Sequence, residues 1–292
     1  MDSDYIITLC GCFGDDCSPL SRSEFWKLYH QYGNSVQGIV SSHDERIDRL
    51  LKRSEARASS LEALHGLGIR ILTFADDNFP RRLFTKLGDF CPPLLYVCGD
   101  VSFNNRRYAG YVGSRNAEDA DISWTKMMVA KNIRDGFGVV SGGARGIDTA
   151  ALEHALTNGG YAVAYVSDNL QTRMHDGFTL ECIVNGRLTL LSHVSPFTQQ
   201  LAKKSKASFV GAAMERNKFI YAQSAATAVV RSDYKKGGTW AGATEALRHK
   251  WSSVFVWDND KYEGNRELIK LGGIPLSDDG KRVLAADLLS AL

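Results

Sequence analysis

Two textures of hydrophobic and polar positions divide the chain. Between Ser23 and Leu67 apolar residues recur near a 3.6-residue spacing among charges. Phe25, Leu28, Tyr29 and Tyr32 come first, then Ile47, Leu50 and Leu51, then Leu61, Leu64 and Leu67. That spacing predicts amphipathic helices with one buried stripe, a small helical module. Its charged face mixes Arg46, Arg49, Lys52, Arg53 and Arg57 with Asp44, Glu45, Asp48 and Glu55, which reads as a solvated face with opposite-charge neighbours rather than a grip for DNA. Beyond Asn78-Phe79-Pro80 the apolar runs shorten and are bounded by Gly, Pro, Asn or Asp. Strands are expected at 94–98, 108–112, 137–140, 161–166, 187–192, 227–231 and 253–257, and helices at 119–135, 147–158, 176–185, 215–223, 241–250 and 265–271. Strands alternating with helices imply right-handed crossovers, so the expected class is α/β: a doubly wound, mostly parallel sheet preceded by a small helical domain. The expected division is residues 1–78 for the helices and 79–292 for the sheet.

Composition narrows the function. The 292 residues carry 44% hydrophobic and 23% charged positions with 6 Pro, an ordinary folded chain rather than a disordered one. A net charge of +2 from 35 basic and 33 acidic residues excludes a polycation, so any nucleic-acid surface must be local. The longest apolar runs, such as 161–166, fall far short of the roughly 18 residues a membrane span needs. The start Met1-Asp2-Ser3-Asp4 is unlike a signal peptide, so a cytoplasmic location and no membrane partner are expected. Six Cys in so long a chain suit a reducing compartment. Cys10, Cys12 and Cys17 cluster, but no His or CxxC pair stands at ligand spacing, so they read as small residues beside a turn, with no metal and no cofactor expected.

In a doubly wound sheet ligands sit beyond the carboxyl ends of the strands, so the strand-to-helix loops carry the chemistry. Residues Val112-Gly113-Ser114-Arg115-Asn116 leave a strand with a Gly, a hydroxyl and a guanidinium able to fork onto a phosphate. Residues Ser141-Gly142-Gly143-Ala144-Arg145-Gly146-Ile147-Asp148 follow a strand and open a helix, where free amides bind anions. Their glycine spacing is neither the GxGxxG dinucleotide pattern nor a P-loop. The plainer reading is a Gly-rich turn that lets helix and strand pack closely. A third loop, Lys236-Gly237-Gly238-Thr239-Trp240, again stands at a helix start, and Met214-Glu215-Arg216-Asn217-Lys218 lies between. From Leu201 to Lys236 the cations Lys203, Lys204, Lys206, Arg216, Lys218, Arg231, Lys235 and Lys236 face only Glu215 and Asp233, a local positive excess in a nearly neutral chain. Trp240 is placed either to pack in the core or to stack on a base. Ser141 has no neighbouring His and Asp arranged as a triad, and His154 and His193 are isolated.

In this order the motifs resemble the DNA-processing protein A (DprA/Smf) family. The resemblance is carried by Phe79-Pro80-Arg81-Arg82-Leu83, Pro92-Pro93-Leu94-Leu95-Tyr96, Val112-Gly113-Ser114-Arg115, residues 141–148, Arg216-Asn217-Lys218, Gly238-Thr239 and Gly264-Asn265-Arg266-Glu267. It implies a Rossmann-like domain behind the helical one, single-stranded DNA bound in a positive pocket at the strand ends, and self-association as a homodimer. It also implies handover of the strand to a RecA-type recombinase, in DNA uptake and recombination or in mobile-element defence. By motif, Gly113, Ser114, Arg115, Ser141, Gly142, Gly143, Arg145, Gly146, Arg216, Asn217, Lys218, Gly238 and Thr239 would line the pocket. The chain departs from the family where Tyr-Gly usually follows the Gly-Ser-Arg: here Asn116-Ala117-Glu118-Asp119-Ala120-Asp121 puts carboxylates near the mouth. The winged-helix-like module that many members carry at the C-terminus is expected to be missing.

The same loops also resemble the Lonely Guy phosphoribohydrolases, in which an Arg and a Glu act on the glycosidic bond of a nucleoside monophosphate. Arg216 and Glu245 would be that catalytic pair, but Glu245 stands six residues after Thr239 where that pattern has three. A sensor holding a nucleotide signal in the same pocket is the remaining alternative.

Overall fold

The computed structural model describes residues 1–13, 17–197 and 206–278. The described chain opens with α1 (Asp2–Cys10), α2 (Arg22–Gln31), α3 (Val36–Val40), α4 (Glu45–Leu51) and α5 (Ser54–Gly66). The apolar stripes of α1 to α4 meet in a cluster of Ile6, Leu9, Phe25, Trp26, Ile39, Ile47 and Leu50, whereas Leu61 and Leu64 of α5 pack with the core of the sheet. Caps written in the sequence set the starts. Ser21 and Glu24 form a capping box at α2, and the Asp44 carboxylate accepts the amides of Arg46 and Ile47 at α4. Arg53 departs from its expected solvated face. It is buried and its guanidinium donates to the carbonyl oxygens of Thr8, Gly11 and Cys17, tying α1 to the later helices.

The strands are β1 (Ile69–Thr73), β2 (Leu94–Cys98), β3 (Tyr108–Val112), β4 (Gly138–Ser141), β5 (Ala162–Val166), β6 (Leu188–Ser192), β7 (Ala226–Val229), β8 (Ser253–Trp257) and β9 (Ile274–Leu276). Between them run α6 (Arg81–Leu87), α7 (Asp119–Arg134), α8 (Ile147–Thr157), α9 (Gly177–Val184), α10 (Lys206–Gln223), α11 (Gly237–His249) and α12 (Glu263–Lys270). Among the described residues these strands form one sheet in the order β1-β2-β6-β5-β4-β3-β7-β8-β9. Only β2 runs against its neighbours; the pairs from β6 to β9 are parallel. Central strands such as β3 and β5 are buried at every position, which is why they read as continuous apolar runs rather than alternating ones. Trp124, Met128, Ala151 and Cys182 from α7, α8 and α9 cover one face, over Tyr111 and Val139. Leu83, Phe219, Ala243 and Leu268 from α6, α10, α11 and α12 cover the other, over Tyr108 and Val140. Each buried Leu, Phe or Met among these contributes about 1.5–3 kcal/mol relative to exposure. The class is therefore the α/β, doubly wound, mostly parallel one that the alternation predicts.

The differences from the expected elements have local causes. β1 and β9 were not anticipated: both are edge strands too short or too mixed in polarity to stand out. β1 lies ahead of residue 79, so the sheet already begins within the stretch assigned to helices. β7 stops at Val229, leaving Arg231 beyond the strand, and α11 starts at Gly237, which draws Gly237-Gly238-Thr239 from the expected loop into its first turn. The chain steps from β3 outward to β6 and then returns to place β7 beside β3. The gap between β3 and β7 is thus the point where the strand order reverses, the place where such sheets bind ligands.

Candidate functional site

A pocket of about 350 Å³ opens at that reversal point. Gly113, Ser114, Arg115 and Asn116 reach it from the end of β3, and Lys236, Gly237, Gly238 and Thr239 from the start of α11. Arg216 and Asn217 come from α10 and close one side. Seven of the residues read from the sequence, Gly113, Ser114, Arg115, Arg216, Asn217, Gly238 and Thr239, are brought together here. No side chain caps the start of α11, whose first residues line the pocket, and uncapped helix-start amides are donors suited to an anion. The Asn217 side-chain amide donates to the Gly238 carbonyl at 3.3 Å, holding α10 against that turn.

The pocket floor is an ion pair. Arg216 Nη1 lies 3.3 Å from Asp148 Oδ2, with both side chains under a tenth exposed. Burial pushes the Asp148 carboxyl up and the Arg216 guanidinium down, and their mutual attraction opposes both shifts. The guanidinium keeps its proton under these conditions, and it is repelled further by Arg115 and Arg173. Arg216 Nε and the Tyr221 hydroxyl, both buried, have no hydrogen-bond partner among the described residues.

The second loop acts differently from the expected anion cradle. Its own carboxylate fills the place of the anion: the Gly142 amide donates to Asp148 Oδ2 at 3.2 Å. A Cβ at Gly142 would stand 0.9 Å from Arg216 Nη1, so glycine is there to admit the guanidinium. Gly146 has φ +90°, a backbone state that other residues adopt only with strain, and a Cβ there would collide with the Ser114 carbonyl. Ser141 is wholly buried and donates to the Tyr111 carbonyl at 2.6 Å; it shapes the strand end and does not reach the pocket. The Gly143 carbonyl accepts from Arg173 at 3.1 Å. Arg145 is exposed and donates to the Arg115 carbonyl at 3.2 Å and to Asn116 Oδ1 at 2.8 Å, bracing the first loop from outside.

Lys218, on α10 one residue beyond Asn217, points away from the pocket. Its ammonium meets Glu245 Oε1 at 2.8 Å and lies 4.6 Å from the centre of the Phe90 ring. The alternative catalytic pair is therefore not assembled: Arg216 is on the pocket floor, whereas Glu245 lines a separate surface groove beside Trp240 and Arg248. Trp240 packs edge-to-face with Tyr234 at 5.0 Å and against the core beneath α11. Lys203 and Lys204 lie outside the described residues.

Three site residues were not singled out from the sequence as pocket residues. Tyr221 follows Asn217 by one helical turn, a signal available in the i, i+4 spacing. Arg231 stands out in the sequence only as part of the local positive excess, and Lys236 only as the opening residue of the third loop, although both line the pocket. Arg231 is committed: it meets Glu118 at 3.0 Å and the buried Asp121 at 3.2 Å, and Lys261 also pairs with Glu118. The acidic run after Arg115 thus consumes one cation at the mouth. The lining carries Arg115, Arg216, Arg231 and Lys236 against Asp148 and Asp233, a formal balance of +2.

Comparisons with known proteins agree with this architecture. A family model described as DNA recombination-mediator protein A matches residues 70–285. The protein Smf of Synechocystis sp. is 30% identical over 105 residues, which cover 35% of this chain and 26% of Smf; the likeness spans about a quarter of that relative. The structure of DNA processing protein A from Streptococcus pneumoniae superposes with a TM-score of 0.64 at 19% identity, covering 93% of this chain and 98% of that one. DNA processing protein A from Helicobacter pylori, described for its single-stranded DNA binding mode, gives 0.59 at 21% identity over 76% of this chain and 96% of that one. These two likenesses show the fold. Among the described residues no helix is long and apolar enough to cross a membrane. With the family model matched over most of its length, the chain belongs to the DNA recombination-mediator protein A family.

Proposed function

We propose that the pocket between β3 and β7 holds the backbone of single-stranded DNA, and that the chain acts as a binding protein without catalytic chemistry. One observation carries this reading: exposed Arg115 and Lys236, which make no salt bridge among the described residues, flank the uncapped start of α11. Free guanidinium, ammonium and amide groups around one opening suit successive phosphates, which bind by releasing counterions. The family and the single-stranded DNA binding of the Helicobacter pylori protein support the choice of ligand. Delivery of the strand to a RecA-type recombinase in recombination, DNA uptake or mobile-element defence, homodimer formation and a cytoplasmic location belong to the same proposal and are supported by the family resemblance.

Arg115→Glu tests it. Fluorescence anisotropy with oligothymidylate is expected to show at least about tenfold weaker binding, with the salt dependence shallower by about one counterion. Equal affinity of variant and parent would remove the pocket from the reading. A mononucleotide signal is the second reading, favoured by the partnerless Tyr221 hydroxyl and Arg216 Nε on the enclosed floor; competition by a mononucleotide at low concentration would select it.

A further inference from the structure

The pocket does not end at Lys236. A second groove, of about 670 Å³, shares Arg231, Asp233 and Lys236 with it and continues past Tyr234, Lys235, Lys261 and Tyr262 to the start of α12. The wall between the two cavities is a tight turn closed by a bridge from Asp233 to Lys236. From this continuity we infer that the second groove is an exit track, along which a DNA strand held in the pocket leaves the protein across the 233–236 turn. The inference rests on the reading of the pocket as a single-stranded DNA site.

Size requires some such path. A cavity of about 350 Å³ is at the lower end of those that enclose one small-molecule ligand, so a strand of several nucleotides held there must emerge from it. The chemistry of the groove suits a strand. Lys235 and Lys236 are exposed and make no salt bridge among the described residues, whereas Arg231 and Lys261 are shared with Glu118 and Asp121, and Asp233 and Glu263 also line the groove. These two ammoniums, free of carboxylates, therefore supply the attraction for phosphate. Tyr234 supplies a flat surface: Trp240 holds the ring edge-to-face at 5.0 Å, and the Lys235 ammonium lies 4.8 Å from its centre. A base arriving on that ring replaces the ammonium, which is then free to meet the adjoining phosphate. Alternating aromatic and cationic groups are how a strand is gripped without reading its sequence. Lys235 is held at φ +55°, a left-handed state uncommon outside Gly, Asn and Asp, at the tip of the turn where the strand would cross.

The test compares a thymidine dinucleotide with an oligothymidylate of about 16 nucleotides, the first able to fill the pocket only, the second long enough to cross the turn. Anisotropy is measured for the parent chain, for Tyr234→Ala with Lys235→Ala, and for Arg115→Glu, each checked by circular dichroism for an intact fold. The turn variant is expected to lose about tenfold on the long strand and less than about twofold on the short one, while Arg115→Glu loses on both. An equal loss on both lengths, or no loss on the long one, overturns the exit track and leaves the pocket standing. No binding of either length by the parent chain overturns the pocket and the track together.

Discussion

Asp148 accepts from both the Gly142 amide and the Arg216 guanidinium, so one carboxylate, buried at the foot of α8, joins the loop after β4 to helix α10. This contact fills with protein the anion site that the glycines of residues 142–146 would otherwise offer. It also sets the position of the pocket floor on which the rim groups stand.

Gly142→Ala tests the tightness of that contact. The new methyl group would overlap Arg216 Nη1, and displacing the guanidinium strands the Asp148 charge. Urea unfolding is expected to show a loss of about 3 kcal/mol, the scale for breaking a buried pair. In an Arg216→Ala background the same change is expected to cost much less. Equal costs in both backgrounds would refute the account.

Glu118 pairs with Arg231 and Lys261, so under the proposed function it would compete with ligand phosphate for both. Its carboxyl is held below the usual range by Lys261 foremost, with Arg231 adding to the effect, so it is a charged competitor at neutral pH. Glu118→Gln keeps a side-chain oxygen for the start of α7 while removing the charge. Oligothymidylate affinity is expected to rise about threefold at low salt, with the gain fading as salt is added. An unchanged or weaker affinity would show that the acidic run does not guard the mouth.

The helical unit has its own acid-sensitive tie. The Arg46 guanidinium, and then Ser21, hold the Glu24 carboxyl down at about 2 from an ordinary value of 4.5. Because the folded-state value is depressed, the stabilisation is fully present above the ordinary value and is lost as pH falls through the window from 4.5 toward 2. Thermal melting from neutral pH into that window should show Glu24→Gln less stable than the parent at neutral pH, with the difference narrowing on acidification. A difference that stays constant with pH would place the effect in the cap geometry instead of the charge.

Glu245 is bound to Lys218 and faces away from the pocket. Glu245→Gln is therefore expected to leave oligothymidylate binding within about twofold of the parent and to cost up to about 1 kcal/mol of stability. Release of free base from nucleoside monophosphates, abolished by this substitution, would instead restore the hydrolase alternative.

The sequence by itself determined the layers. Mostly apolar runs at 94–98, 108–112 and 253–257 became β2, β3 and β8 with no shift of boundary, because strands covered on both faces read as near-continuous hydrophobic runs. The loops after β3 and at the start of α11 were legible for a related reason: glycine and cationic residues between a strand and a helix have few uses besides close approach and anion binding. What only the tertiary structure decided was which charges are free. Arg115, Arg216, Arg231 and Lys218 are alike in one dimension, yet the return of the chain from β6 to β7 brings Asp148, Asp121 and Glu245 onto three of them. Local spacing cannot foresee such pairings, since their partners lie from 27 to 110 residues away and Coulomb attraction acts on distance in space, not along the chain.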